Sequence, residues 1–60
     1  MKPGSLRLVA YRGLRDRVVH KFDKDEEGQE DAFYGTYDNL ERAGYVIYAY
    51  EMTDKGWTEF

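Results

Sequence analysis

The chain has 60 residues and a formal net charge of -3, since 12 aspartates and glutamates outnumber 9 lysines and arginines. The length allows one hydrophobic core, and the 42% hydrophobic and 17% aromatic content is typical of a folded domain. The absence of cysteine excludes a disulfide, a thiol nucleophile and a cysteine-bound metal. No apolar stretch is long enough for a membrane span or a secretory signal. We therefore expect one cytoplasmic domain over residues 1–60, with no membrane association.

Two strands are predicted at the start of the chain. Leu6–Arg12 alternates between its two faces with the period of two that a strand requires, and so does Arg17–Phe22. Gly13 lies in the short connection between them, which favours an antiparallel hairpin. His20 shares the more apolar face of the second strand, so we expect a partly buried, structural histidine.

The middle of the chain is predicted as a loop, a short strand and a helix. Asp23–Asp31 contains no apolar residue and predicts a solvated loop, and Ala32–Tyr34 predicts the short strand. Thr36 is the predicted N-cap of a helix of about two turns, because its hydroxyl can accept a hydrogen bond from a free backbone N–H. Gly44 is predicted to end that helix in the left-handed conformation.

The end of the chain is rich in residues that favour strands. Tyr45–Met52 is dense in β-branched and aromatic side chains and predicts a central strand, with continuation of the helix as the alternative. After a turn at residues 54–56, Trp57–Phe60 either pairs back or packs as a tail. The predicted fold class is α+β: a small antiparallel sheet in the order β-β-short β-α-β, with one short helix packed on one face.

The sequence offers little for catalysis or for metal binding. It contains a single histidine, whereas a metal site needs three or four ligands together. No glycine-rich phosphate loop is present, and no glutamate closes a calcium-binding loop after Asp23. A chain of this length can hardly enclose both a core and a substrate pocket. We therefore expect a non-catalytic protein with no cofactor and no metal.

Charge is unevenly distributed along the chain. Residues 1–24 hold seven basic against two acidic residues, and residues 25–60 hold two basic against ten acidic residues. The acidic segment and the tyrosine-rich strand predict a protein-interaction or inhibitor protein whose partner has a basic, nucleic-acid-binding surface. The predicted partner-binding residues are the steering carboxylates and the tyrosine anchors: Asp25, Glu26, Glu27, Glu30, Asp31, Tyr48 and Tyr50.

The alternative prediction is DNA binding through the basic first hairpin. Arginine side chains on a two-stranded ribbon can enter a major groove and contact guanine. The candidate nucleic-acid-binding residues are Arg12, Arg15, Arg17 and Lys21. A third prediction is a homodimer in which the aromatic strand pairs across a two-fold axis.

Two blocks of sequence resemble the AP2/ERF DNA-binding domain. Tyr11-Arg-Gly-Leu-Arg-Asp-Arg17, followed by Lys21-Phe22, resembles the first strands of that family, and Phe33-Tyr-Gly-Thr-Tyr-Asp38 resembles its third strand and the entry to its helix. The resemblance implies a three-stranded sheet that reads DNA through arginine and tryptophan. It also implies base and phosphate contacts by Arg12, Arg15 and Arg17.

Overall fold

The computed structural model describes residues 2–60, which form one antiparallel sheet and one helix. The elements in chain order are β1 (Leu6–Arg12), β2 (Asp16–Phe22), α1 (Gln29–Arg42), β3 (Val46–Thr53) and β4 (Gly56–Glu59). The sheet order is β2-β1-β3-β4, and α1 packs on one face. The predicted α+β class is confirmed. No helix in the described residues is long and apolar enough to cross a membrane.

The strands follow the predicted alternation closely. β1 and β2 form the predicted hairpin, in register from Leu6 opposite Phe22 to Arg12 opposite Asp16. Residues 46–53 are a strand, as predicted, and β3 pairs with the other side of β1. The final segment pairs back on β3, with Trp57 opposite Met52, so the sheet has a fourth strand.

The helix begins earlier than predicted. The predicted strand Ala32–Tyr34 is wrong, because these residues lie inside α1, and Thr36 lies in the helix interior and not at the N-cap. Gly28 is the N-cap, with no side-chain hydrogen bond, and the Ala32 N–H donates to its carbonyl at 3.0 Å. The loop prediction for residues 23–31 therefore holds only up to Gly28, because Glu30 and Asp31 form the first turn. There their charge is favourable to the helix dipole.

The helix ends as the sequence predicts. Gly44 has φ 90°, and its N–H donates to Glu41 O at 3.1 Å while Tyr45 N–H donates to Leu40 O at 3.0 Å. This pair of bonds is the Schellman motif, which satisfies two carbonyls at the end of the helix. The reversal that follows Gly44 directs the chain into β3.

The core between the layers is small and aromatic at its edge. Leu8 and Ala10 are completely buried under the helix, and Phe33 of α1 is 5% exposed. The Phe33 ring contacts those of Phe22 and Phe60 edge-to-face, at centroid distances of 5.7 and 6.3 Å. These edge-to-face contacts contribute about 0.5–1.5 kcal/mol each beyond buried area.

Two polar residues, Ser5 and His20, differ sharply in burial. Ser5 is fully buried, although it lies close to the terminus: its Oγ accepts from Lys24 N–H at 3.1 Å, and its carbonyl accepts from Met52 N–H at 2.8 Å. It thus ties the entry of β1 to the end of β2 and to β3. The expected partial burial of His20 is wrong, since this side chain is exposed on edge strand β2 and stacks on Phe22.

We predict opposite effects of alanine at two glycines of this helix. Gly44→Ala should lower the free energy of unfolding by about 1–2 kcal/mol, because an L side chain is strained at this positive φ. A Cβ there would meet no atom within 4 Å, so the effect is confined to the backbone. The measurement is the urea unfolding midpoint.

Gly35→Ala is the matched control, because Gly35 lies inside α1 and its added Cβ also has open space. Alanine is favoured over glycine in a helix interior by about 0.8–1.0 kcal/mol, so this variant should be more stable than the original chain. Equal effects of the two substitutions would contradict the assignment of the helix end.

Candidate functional site

One face of the sheet is not covered by the helix, and we call it the open face. The side chains of β1 alternate, so that Leu8 and Ala10 lie under α1 while Arg7 and Val9 lie on the other side. The strand register then assigns the remaining members of the open face. These are Tyr11, Arg17, Val19, Lys21, Val46, Tyr48, Tyr50, Met52, Trp57 and Glu59.

Aromatic and branched side chains give the open face its own small apolar cluster. Val9 is only 6% exposed, because Val19 and Tyr48 flank it in register on the neighbouring strands. The Tyr11 and Tyr48 rings meet edge-to-face at 6.0 Å. Tyr48 and Tyr11 nevertheless remain 42% and 41% exposed, so the cluster presents ring surface to solvent.

Arg7 organises one end of the open face. Its guanidinium lies over the rings of Tyr50 and Trp57, at 4.8 and 4.6 Å from their centroids. Its Nε atom is buried without a hydrogen-bond partner, so the two ring faces are its main contacts. One arginine from β1 therefore fixes an aromatic side chain on β3 and another on β4.

The cations of the open face are not neutralised. Arg7 and Lys21 lie directly opposite each other on β1 and β2, and Arg17 lies further along β2. The ion pairs of residues 2–60 are Lys2–Asp25, Arg12–Asp16 and Arg42–Asp38, none of which involves the open face. Three cations thus face one carboxylate, Glu59, on a protein whose net charge is -3.

The structure separates the residues predicted to contact DNA. Arg12 binds Asp16 at 3.1 Å, donates to Ala43 O at 3.3 Å and covers the Tyr45 ring at 4.9 Å, so it joins the hairpin to the end of the helix. Arg15 lies in the hairpin turn beside the fully exposed Leu14. Only two of the candidates share the open face: Arg17 and Lys21.

The predicted acidic residues and tyrosine anchors also lie apart. Tyr48 and Tyr50 belong to the open face, whereas the carboxylates cluster at the end of the sheet where β2 leads into α1. Asp25 pairs with Lys2, and Glu27 is exposed beside Gly28. A polar groove of about 570 Å³ has one basic residue, Lys24, in its lining and collects acidic side chains from the loop, the helix and β3: Glu26, Glu30, Asp31 and Glu51.

The sites predicted from the sequence include neither Arg7 nor Trp57. The sequence contains a signal for Arg7, because Arg7, Val9 and Tyr11 are spaced two residues apart and therefore share one face of β1. Trp57 gave no such signal, since its contact with Arg7 depends on β4 pairing with β3 and on β3 pairing with β1.

Two further features of the described residues bear on ligand binding. A smaller apolar groove of about 260 Å³ lies on the helix side, lined by Phe33, Tyr34, Tyr37, Ala49 and Phe60. No three histidine, aspartate or glutamate side chains gather there or elsewhere in residues 2–60 as metal ligands.

The two blocks that resemble the AP2/ERF domain lie in different kinds of structure. Tyr11–Arg17 spans the turn of the β1–β2 hairpin, whereas Phe33–Asp38 lies inside α1 and not in a third strand. Comparisons with family models, with curated proteins and with solved structures find no match to this chain.

We predict that Arg7 stabilises the open face despite its like-charged neighbour. Arg7→Ala removes two cation–π contacts of about 0.5–2 kcal/mol each, whereas relief of the repulsion from Lys21 returns about 0.2–1 kcal/mol. The variant should therefore lose about 1 kcal/mol of unfolding free energy. Urea unfolding followed by the emission of Trp57, the single tryptophan, measures this loss.

Lys21→Gln is the control, since it removes the like charge opposite Arg7 without touching either ring contact. It should leave stability unchanged or raise it slightly. An Arg7→Ala variant with unaltered stability and unaltered Trp57 emission would mean that the arginine does not hold the rings.

Proposed function

We propose that this protein is a non-catalytic module that binds nucleic acid on its open face. The observation that carries the proposal is the combination, on one uncovered surface, of unpaired cations with exposed aromatic rings: Arg7, Arg17, Lys21, Tyr11 and Tyr48. Cations contact phosphates, and rings stack on bases, so the two chemistries of the surface match those of one polymer.

The repulsion within the free protein supports an anionic ligand. Arg7 and Lys21 occupy directly opposed positions, where like charges are unfavourable. The Arg7 guanidinium lies toward β3 and β4, over Tyr50 and Trp57, while Lys21 lies on β2, so a phosphate chain that crosses this end of the open face can contact both cations. The overall negative charge of the chain weakens long-range attraction to nucleic acid, so binding should depend on this local patch and be sensitive to salt.

We predict binding whose salt dependence reports the cations of the open face. Titration of a labelled nucleic-acid strand at several salt concentrations should give a slope of log K against log[salt] of about -2, because three cations each displace roughly 0.7 counterion from a single strand. Arg17→Gln with Lys21→Gln should weaken binding and bring the slope close to about -0.7.

Arg42→Gln with Lys55→Gln is the matched control. It removes the same amount of charge from the helix and from the β3–β4 turn, away from the open face. If the control pair weakened binding as much as the open-face pair, the effect would come from the net charge of the protein and not from the open face. Absence of binding to any nucleic acid at low salt would refute the proposal.

The acidic groove favours a second candidate function, docking of a basic protein. Glu51 of β3 joins carboxylates of the loop and of the first turn of α1, so the acidic surface is larger than the loop alone. The steering role predicted for Glu26, Glu30 and Asp31 is retained in this proposal. Charged surfaces of this kind raise association rates with oppositely charged partners more than they raise affinity.

We predict that Glu26→Lys with Glu51→Lys, which reverses two carboxylates that line the groove, weakens binding to a basic polypeptide such as polylysine and reduces its salt dependence. The control is Glu41→Lys with Glu59→Lys, which reverses two carboxylates that do not line the groove. Anisotropy of labelled polylysine measures both pairs. Equal losses in the two variants would mean that the groove has no special role.

A further inference from the structure

We propose that the nucleic acid held by the open face is single-stranded and that Tyr48 provides its main stacking surface. This inference rests on the nucleic-acid-binding function proposed above and names the form of the ligand. It follows from the width of the sheet, from the exposure of the rings and from the arrangement of the cations.

The sheet is too wide to enter a duplex groove at the end that contains Arg7. There β4 pairs with Tyr50–Thr53 of β3, and four strands spaced by about 4.8 Å separate the outer backbones by about 14 Å before side chains are added. The major groove of B-DNA is about 12 Å wide and admits a helix or a two-stranded ribbon. β1 is paired with β3 from Leu6 to Tyr11, so the β1–β2 hairpin is not a free ribbon over that length.

A duplex would therefore contact the Arg7 end of the open face through its phosphates. Its bases are stacked on each other and present no ring faces to Tyr48 or Tyr11, whose exposure would then serve no contact. In a single strand the bases are free to leave the stack, and base–aromatic stacking supplies affinity with little sequence preference.

The rings differ in their availability for stacking. Tyr50 and Trp57 each have the Arg7 guanidinium over a ring face. Tyr48 and Tyr11 have no cation over them. Their edge-to-face contact, with an interplanar angle of 75°, covers part of a face on one of the two rings, and both side chains stay more than 40% exposed. Tyr48 lies on a central strand, next to the row that contains Arg7, and Tyr11 lies beside Arg17.

The cations lie at both ends of the open face, beside the aromatic side chains. Arg7 is on β1, with Arg17 and Lys21 on the neighbouring β2, while Tyr48 and Tyr50 are on β3. Arg17 and Lys21 are four residues apart on β2, with Val19 between them, so their backbone positions are separated by about 13 Å along the strand direction. A single strand that runs along the sheet can meet the cations with its phosphates and the tyrosines with its bases.

The test compares three polyanions on the intact chain. Fluorescence anisotropy measures binding of a short mixed-sequence single strand, of the duplex of the same sequence, and displacement of either by inorganic polyphosphate, which has charge but no bases. We expect the single strand to bind about tenfold to a hundredfold more tightly than the duplex, and polyphosphate to compete poorly.

Variants at Tyr48 identify the stacking ring. Tyr48→Phe should retain binding, because the ring remains, whereas Tyr48→Leu should weaken single-strand binding about tenfold and leave duplex binding unchanged. Leucine keeps apolar cover over Val9, which makes this variant informative even if Tyr48→Ala fails to fold. Tyr34→Leu is the control, since Tyr34 is 68% exposed on the helix side.

The outcomes separate this inference from the proposed function. Equal affinity for single strand and duplex, with no effect of Tyr48→Leu, would overturn the inference and leave phosphate-driven binding intact. Absence of binding to every nucleic acid would overturn both. Light scattering that shows a dimer dissociated by Tyr48→Leu would also overturn the inference, because the open face would then be occupied by a second copy.

Discussion

The architecture depends on the packing of one helix, through Phe33, against one face of a four-stranded sheet. A domain of this size buries only about 60% of the surface of its unfolded chain, and its stability is of the order of 0.05–0.15 kcal/mol per residue. Leu8, Ala10 and Phe33 supply the buried apolar contact between the layers, with the rings of Phe22 and Phe60 around them. A 14-residue helix has a single apolar stripe, so it can cover one face of the sheet and leaves the other to its own side chains.

The uncovered face is stabilised by contacts that also give it binding chemistry. Val9 is buried by its cross-strand neighbours, without an overlying element. Arg7 packs its guanidinium on Tyr50 and Trp57, which shields apolar ring surface while retaining a positive charge. An open face made only of apolar side chains would shield the backbone equally well, but it would favour association between copies of the protein. Aromatic rings held by an arginine make a surface that is ordered and charged at once.

Positive and negative side chains lie on different surfaces of the molecule. Cations without carboxylate partners lie on the open face, whereas the groove at the β2–α1 end gathers four carboxylates. The arginine nearest the helix end, Arg12, is neutralised by Asp16 and is used to join the hairpin to α1. Arg7 and Lys21 lie at the same end of the sheet as the groove but on the opposite face, so the positive and negative surfaces are separated by the sheet itself.

The sequence by itself determined the elements whose signals are local. Period-two alternation gave β1, β2 and β3, and Gly44 marked the end of α1, because a left-handed residue there needs no tertiary partner. The start of α1 was not predictable in this way: Gly28 offers no side-chain cap, and the acidic first turn contains no apolar residue to begin a helical stripe. The residues next to Phe33 in sequence predict a strand. Phe33 is helical because its ring packs between Phe22 and Phe60, which come from distant parts of the chain. The candidate site was likewise decided by tertiary structure, since strand order alone joins Arg7, Tyr50 and Trp57 on one face and separates them from the acidic groove.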